Sequence, residues 1–217
     1  SEYLIPKFLF FKNIFFQSMP ISVSICGYAL AAAIIFTYVG QSGEYAVAGY
    51  GVGTRIEQVV LLPILGINTA IISIIAQNYG ANNLIRIKET YFTAIKYAFI
   101  IMITAGTLVF LSASIITSFF SNDPEVIEYG KRYLKISAFV LPAYPVFFLS
   151  NGFFMALKKS ENAMISNFFR NVLNPIAVFY IAKYINASFE TFFWLWVGIN
   201  WFFSISYFFI IIYYFKL

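Results

Sequence analysis

Tyr97-Ala-Phe-Ile-Ile-Met-Ile103 and, near the other end, Tyr207-Phe-Phe-Ile-Ile-Ile-Tyr213 are apolar on every side of whatever element carries them. A half-buried surface element would show a polar face at a period of about 2 or 3.6 residues, and neither stretch has one. Working outward, comparable runs cover residues 14–39, 47–78, 91–120, 134–157, 163–184 and 191–215, separated by short polar hinges. Each reaches the ~20 residues an α-helix needs to cross ~30 Å of hydrocarbon. A membrane barrel would instead show ~10-residue segments of alternating polarity. The sequence therefore predicts an all-α membrane protein with six transmembrane helices. One transmembrane domain over residues 1–217 has the lipid bilayer as its first partner.

Composition narrows the chemistry. The 217 residues are 61% hydrophobic and 11% charged, with a mean hydropathy of +0.80. A soluble chain of this length has no core large enough to hide that much apolar surface. The net charge of +5 reads as loop lysines beside a membrane, and no nucleic-acid partner is expected. There is no histidine and a single cysteine, Cys26. That removes His-based catalytic triads, haem axial histidines, soft-metal clusters and internal disulfides. No Walker, HExxH or GxSxG sequence occurs, so no catalytic residue, metal site or cofactor is expected and the chain is not read as an enzyme. Aromatic residues make up 21%, part of it expected in interfacial belts, with Tyr50, Tyr91, Tyr133, Tyr213 and Tyr214 near predicted helix ends.

Six passes put both ends on one side. Lys7, Lys12, Arg86, Lys88, Lys158, Lys159 and Lys216 flank that side, against Lys131, Arg132 and Lys183 on the other. The excess predicts cytoplasmic ends. Gly40–Glu44 reads as a tight outer turn, Asp123-Pro124 as a capped helix start, and the segment after Gly80 as a short amphipathic surface helix carrying Leu84 and Ile87. Asn186-Ala-Ser188 matches a glycosylation sequon that chance explains equally well. Ser1–Lys12 is aromatic and charged, so no signal peptide is expected. The start at Ser1 without methionine suggests a piece of a longer protein.

Polar side chains inside apolar runs are expensive and therefore candidates for function. The second run carries Arg55, Glu57, Gln58 and Asn68. Arg55 and Glu57 stand two apart, so they point to different faces of one helix. Arg55 can snorkel to the interface; Glu57 is shorter and deeper. In the fifth run Asn167, Arg170, Asn171 and Asn174 follow i, i+3, i+4, i+7 spacing and form one polar stripe. Such a stripe either hydrogen-bonds between helices or lines a cavity. Pro20, Pro63, Pro142, Pro145 and Pro175 mark expected helix kinks. Gly49 and Gly53 form a small-residue face for close helix contact. Kinked helices with buried amides suit a pathway that opens and closes.

Ala48-Gly-Tyr-Gly-Val-Gly-Thr-Arg-Ile-Glu-Gln58, then Leu62-Pro63, Gly66-Ile-Asn68 and Ala76-Gln-Asn-Tyr-Gly-Ala81, resemble the multidrug and toxic compound extrusion (MATE) transporters. Gly152-Phe-Phe-Met-Ala-Leu157 and Arg170-Asn-Val-Leu-Asn-Pro175 fall where similar family patterns occur. The resemblance implies the C-terminal six-helix lobe of a twelve-helix transporter, with an N-terminal six-helix lobe as partner. It implies secondary active efflux of drugs or metabolites by alternating access, with a small organic, cationic substrate and Na⁺ or H⁺ as coupling ion. The expected location is a bacterial inner (plasma) membrane. Some family members carry acids in the first and fourth helices of this lobe, whereas residues 14–39 and 134–157 here contain none. The alternatives are a lipid-linked oligosaccharide flippase of the same superfamily and a non-transporting membrane subunit.

Overall fold

In the computed structural model, which describes Met19 and residues 26–215, long helices follow one another with only short turns between them. Among the described residues the order is α1 (Cys26–Gly40), α2 (Glu44–Gly80), α3 (Leu84–Ser118), α4 (Pro124–Ser137), a 3-10 turn (Leu141–Ala143), α5 (Tyr144–Ala156), α6 (Ser160–Phe168), a π turn (Phe169–Leu173), α7 (Asn174–Tyr184) and α8 (Phe189–Tyr214). α4 and α5 form one interrupted pass and α6 and α7 another, giving six passes. The segments Glu44–Gly80, Leu84–Ser118, Pro124–Ala156 and Phe189–Tyr214 are long and apolar enough to cross a membrane, and Cys26–Gly40 is a shorter apolar helix. At 37 residues α2 is about 55 Å long, well beyond the ~30 Å hydrocarbon layer. The expected kink at Pro20 lies outside the described residues.

The turns are built from local chemistry. Asp123 caps α4 by accepting from the Glu125 and Val126 amides, with Pro124 in the first turn, as the sequence predicts. Gly43 takes φ 101° in the α1–α2 turn, where a side chain would be strained. Asn82, Lys158 and Asn186 adopt left-handed backbone at φ 54°, 59° and 49°. Behind them, Asn83 N–H donates to the Asn78 carbonyl at 2.9 Å, Lys159 to Phe154 at 2.9 Å, and Ala187 to Ala182 at 2.8 Å. These closures satisfy carbonyls that the helix ends leave open.

Packing places α4–α5 at the centre. Of its most apolar stretch 72% is buried, against 17% for α2, 22% for α3 and 28% for α8. The outer helices turn Leu111, Ile115, Phe202 and Phe209 outward, as a lipid-facing surface requires. One hydrophobic cluster joins the α1–α2, α3–α4 and α7–α8 ends; a second joins the α2–α3 and α5–α6 ends with the end of α8. Gly49 and Gly53 permit α2 to meet α4 closely. A Cβ on Gly49 would lie 2.7 Å from the Gly130 amide nitrogen, and one on Gly53 would enter the Tyr133 ring.

Three expectations are corrected. The segment after Gly80 is not a separate surface helix: Asn83 accepts from the Arg86 amide and starts α3, which runs unbroken from Leu84. Tyr50, Tyr91 and Tyr133 do not turn outward as belt residues, because all three are buried among helices. Tyr213 remains exposed. The fourth pass begins at Pro124, ahead of residue 134, so it carries Glu125 and Glu128 in its opening turns.

The prolines act unequally. Pro63 lies inside α2 without ending it. Pro142 and Pro145 occupy the 3-10 turn and the first turn of α5, and α4 has already stopped at Ser137. Pro175 has no N–H for a regular helical bond. The chain widens into the π turn just before it, and Asn174 N–H reaches back to the Phe169 carbonyl. The break leaves the Phe139 carbonyl free in an apolar layer, and α8 bonds it and the neighbouring Ala143 carbonyl. Trp201 Nε1–H donates to the Phe139 carbonyl at 2.8 Å and Ser204 Oγ–H to that of Ala143 at 3.0 Å.

Candidate functional site

Glu57 projects from α2 toward the break in the central pass. Tyr144 donates its hydroxyl to Glu57 Oε1 at 2.6 Å, and Tyr133 donates to Oε2. Tyr133 stands on α4 and Tyr144 opens α5, so one carboxylate ties together the two arms of the broken helix. The aromatic wall is itself packed: Tyr50 meets Tyr133 edge-on at 4.9 Å and stacks on Phe193 at 5.4 Å. Glu57 lines a cavity of about 110 Å³ with Tyr28 of α1, Phe148 of α5, Trp196 of α8, and Arg170 and Asn171 of the π turn. Drug-sized sites measure ~300–1,000 Å³. This one has room for waters or an ion.

Arg170 is buried, with its guanidinium over three rings, 4.2 Å from the centroid of Phe147, 5.0 Å from Tyr144 and 5.7 Å from Phe148. Its Nε–H donates to Asn200 Oδ1 at 3.2 Å, and the Asn200 amide donates to the Trp196 carbonyl at 2.8 Å. Desolvated cation–π contacts of this kind contribute about 2 kcal/mol. Arg170 and Glu57 thus share Tyr144, one over its ring and the other at its hydroxyl.

The structure brings together four of the residues singled out from sequence, Glu57, Gln58, Arg170 and Asn171. Arg55 is exposed on another face of α2 and does not line the cavity. Asn68 lies three turns along α2, where its Oδ1 occupies the space beside Gly152 that a side chain would fill. That oxygen has no hydrogen-bond partner, and neither amide atom of the buried Asn174 has one. Among the described residues no cluster of three or more His, Cys, Asp or Glu side chains stands in position to hold a metal.

Sequence reasoning missed Tyr133, Tyr144 and Asn200. Asn200 carried a signal, since it is an amide within an all-apolar run. Tyr133 and Tyr144 carried none, because they lie 76 and 87 residues from Glu57 and a tyrosine near a helix end reads as an interface anchor.

Comparison with known proteins sets this geometry in context. The sequence model described as MatE matches residues 20–180. A FAD transporter of Shewanella oneidensis is 25% identical over 73% of this chain and 35% of its own length. The probable multidrug resistance protein YpnP of Bacillus subtilis is 26% identical over 76% of this chain and 34% of its own. Among solved structures, a MOP superfamily transporter from Pyrococcus furiosus superposes with a TM-score of 0.87 at 23% identity, covering 95% of this chain and 47% of that one. An outward-facing multidrug resistance MATE family transporter gives 0.83 at 23% identity, covering 95% and 47%. The chain therefore spans about a third of the length of the curated relatives and about half of the solved structures. These relatives are transporters, not enzymes, and the fold is that of one lobe embedded in a membrane.

Proposed function

This chain belongs to the MatE family, and from that premise we propose that it forms one six-helix lobe of a cation-coupled exporter of small organic, cationic molecules. The second lobe is a further six-helix half, the location is a bacterial inner membrane, and the ends of this chain face the cytoplasm. Cytoplasmic ends rest on the lysine and arginine bias of the loops. The bacterial membrane rests on the bacterial relatives.

The observation that carries the reading is the Glu57 carboxylate held by hydroxyls from both sides of a broken helix. A proton or Na⁺ arriving at Glu57 changes the charge that Tyr133 and Tyr144 face. Each hydroxyl then finds a different partner strength, and the angle between α4 and α5 becomes dependent on occupancy. A ligand shifts a two-state equilibrium only by its differential affinity for the two states, and a clamp that senses charge supplies such a difference. The substrate passes elsewhere, against the other lobe, because the cavity at Glu57 is too small for it.

A flippase for pyrophosphate-linked sugars needs several free cations converging on one cavity. Arg170 is covered by three rings and Asn200, and Arg55 points away, which favours the exporter. Accumulation of a cationic dye in cells carrying the complete transporter tests the proposal. Dye content is expected to rise when the proton gradient or the sodium gradient is collapsed. Dye content indifferent to both removes cation-coupled export.

A further inference from the structure

A second cavity sits far from Glu57, where the ends of α2, α3, α5 and α8 converge. It measures about 400 Å³ and is walled by Leu84, Ile85, Ile87, Phe153, Leu157 and Phe215, with Tyr79, Tyr214 and Lys88 at its margin. Leu84 and Ile85 are 68% and 74% exposed, so apolar surface continues outward from the groove. Ile87 and Phe153 at its floor are fully buried.

The rim is basic. Lys88 lines the groove directly. Lys159 places its Nζ 4.6 Å above the Tyr214 ring and donates to the Tyr214 hydroxyl at 3.0 Å. Lys158, at φ 59°, and the Lys159 N–H bonded to the Phe154 carbonyl fix the backbone that presents this ammonium. The nearest acids along the chain, Glu89 and Glu161, are exposed, and neither pairs with these lysines. Among the described residues the ion pairs all lie elsewhere, at Glu128 and Glu190.

We propose that this groove binds an anionic phospholipid of the surrounding leaflet, an acyl chain against Ile87, Phe153 and Phe215 and the phosphate on Lys88 and Lys159. The apolar floor accepts a hydrocarbon chain, and the ammonium groups, without an ion-pair partner among the described residues, select the charge of the headgroup. Four helix ends share the groove, so an occupant ties together α2, α3, α5 and α8. The wide groove beside Phe110, Trp194 and Trp201 has a single ammonium near it, Lys135 at 5.4 Å from the Phe110 ring centroid, against two here.

Native mass spectrometry of the full-length protein in mild detergent tests this, with phosphatidylglycerol and phosphatidylcholine of identical chains as probes. Phosphatidylglycerol is expected to be retained over phosphatidylcholine by about thirtyfold, the scale that two surface lysines confer. The preference is expected to vanish in K88Q/K159Q and to persist in K88R/K159R and in K131Q/K183Q, whose lysines lie at the opposite end. Equal retention of the two lipids by the native protein, or an unchanged preference in K88Q/K159Q, overturns the proposal. A photoreactive side chain at Ile85 identifies the occupant independently of folding in those variants. A lipid adduct supports the proposal, and crosslinks confined to residues 1–25 of the chain or to another protein overturn it.

Discussion

The Tyr144 hydroxyl lies 2.6 Å from Glu57 Oε1, a bond that joins the first residue of α5 to the middle of α2 across 87 residues of chain. Tyr133, on the other side of the helix break, donates to the second carboxylate oxygen. A break in a membrane helix is tolerated where neighbours re-satisfy the freed backbone. Here Trp201 and Ser204 do so from α8, while Glu57 holds the two arms from α2. The same carboxylate is therefore a structural tie and, under the proposed function, the group that reads the arrival of a cation.

Tyr144→Phe removes one donor and leaves the other. The loss of a hydrogen bond to a charged group is expected to destabilise the lobe by about 1.5–3 kcal/mol. Tyr133→Phe is expected to behave alike, and the double variant to lose less than the sum, because the two donors share one acceptor. Thermal unfolding in detergent measures all three. Full additivity would show that the hydroxyls do not act through a common carboxylate.

Gly53→Ala drives a methyl group into the Tyr133 ring, and Gly49→Ala drives one against the backbone of Gly130. Overpacking of this kind costs about 1–3 kcal/mol. A methyl group at Gly66 meets nothing within 4 Å. Gly66→Ala is expected to be neutral or to stabilise α2 by about 0.5–1 kcal/mol. Melting temperatures falling for the first two and holding for the third check the α2–α4 contact.

Arg170→Lys keeps the charge and loses the flat guanidinium over Phe147, Tyr144 and Phe148, together with the bond to Asn200. A loss of about 1–2 kcal/mol is expected in thermal unfolding. Stability equal to that of the native protein would mean that the positive charge alone matters there.

Ser204→Ala removes the bond that α8 makes to the Ala143 carbonyl at the break. The expected cost is about 0.5–1.5 kcal/mol. Hydrogen exchange through residues 138–145 is expected to quicken, while exchange in α3 stays as in the native protein. Unchanged exchange at the break would place its support elsewhere.

Much of this was legible before any coordinates. Runs such as Tyr97–Ile103 allow only an embedded helix, and the α4 start follows from Asp123-Pro124. Glu57 stood out as a deep acid, and its separation from Arg55 by two residues correctly put them on different faces. Helical spacing put Asn167, Arg170, Asn171 and Asn174 on one stripe; the last three are buried and Asn167 is half-buried. The partners of Glu57 were hidden because they come from distant turns of chain, where local periodicity carries no information. Tyrosine compounds the difficulty, since the same residue serves as membrane anchor and as buried donor. The helix stop at Ser137, ahead of Pro142, was equally unreadable.

Reconstitution of the complete transporter in vesicles, with Glu57→Gln beside the native protein, tests the central claim most directly. Dye flux through the native protein is expected to rise with an imposed proton or sodium gradient, and flux through the variant to stay flat and about tenfold lower, equivalent to ~1.4 kcal/mol. A variant that responds to the gradient as the native protein does would contradict Glu57 as the group that couples cation to transport.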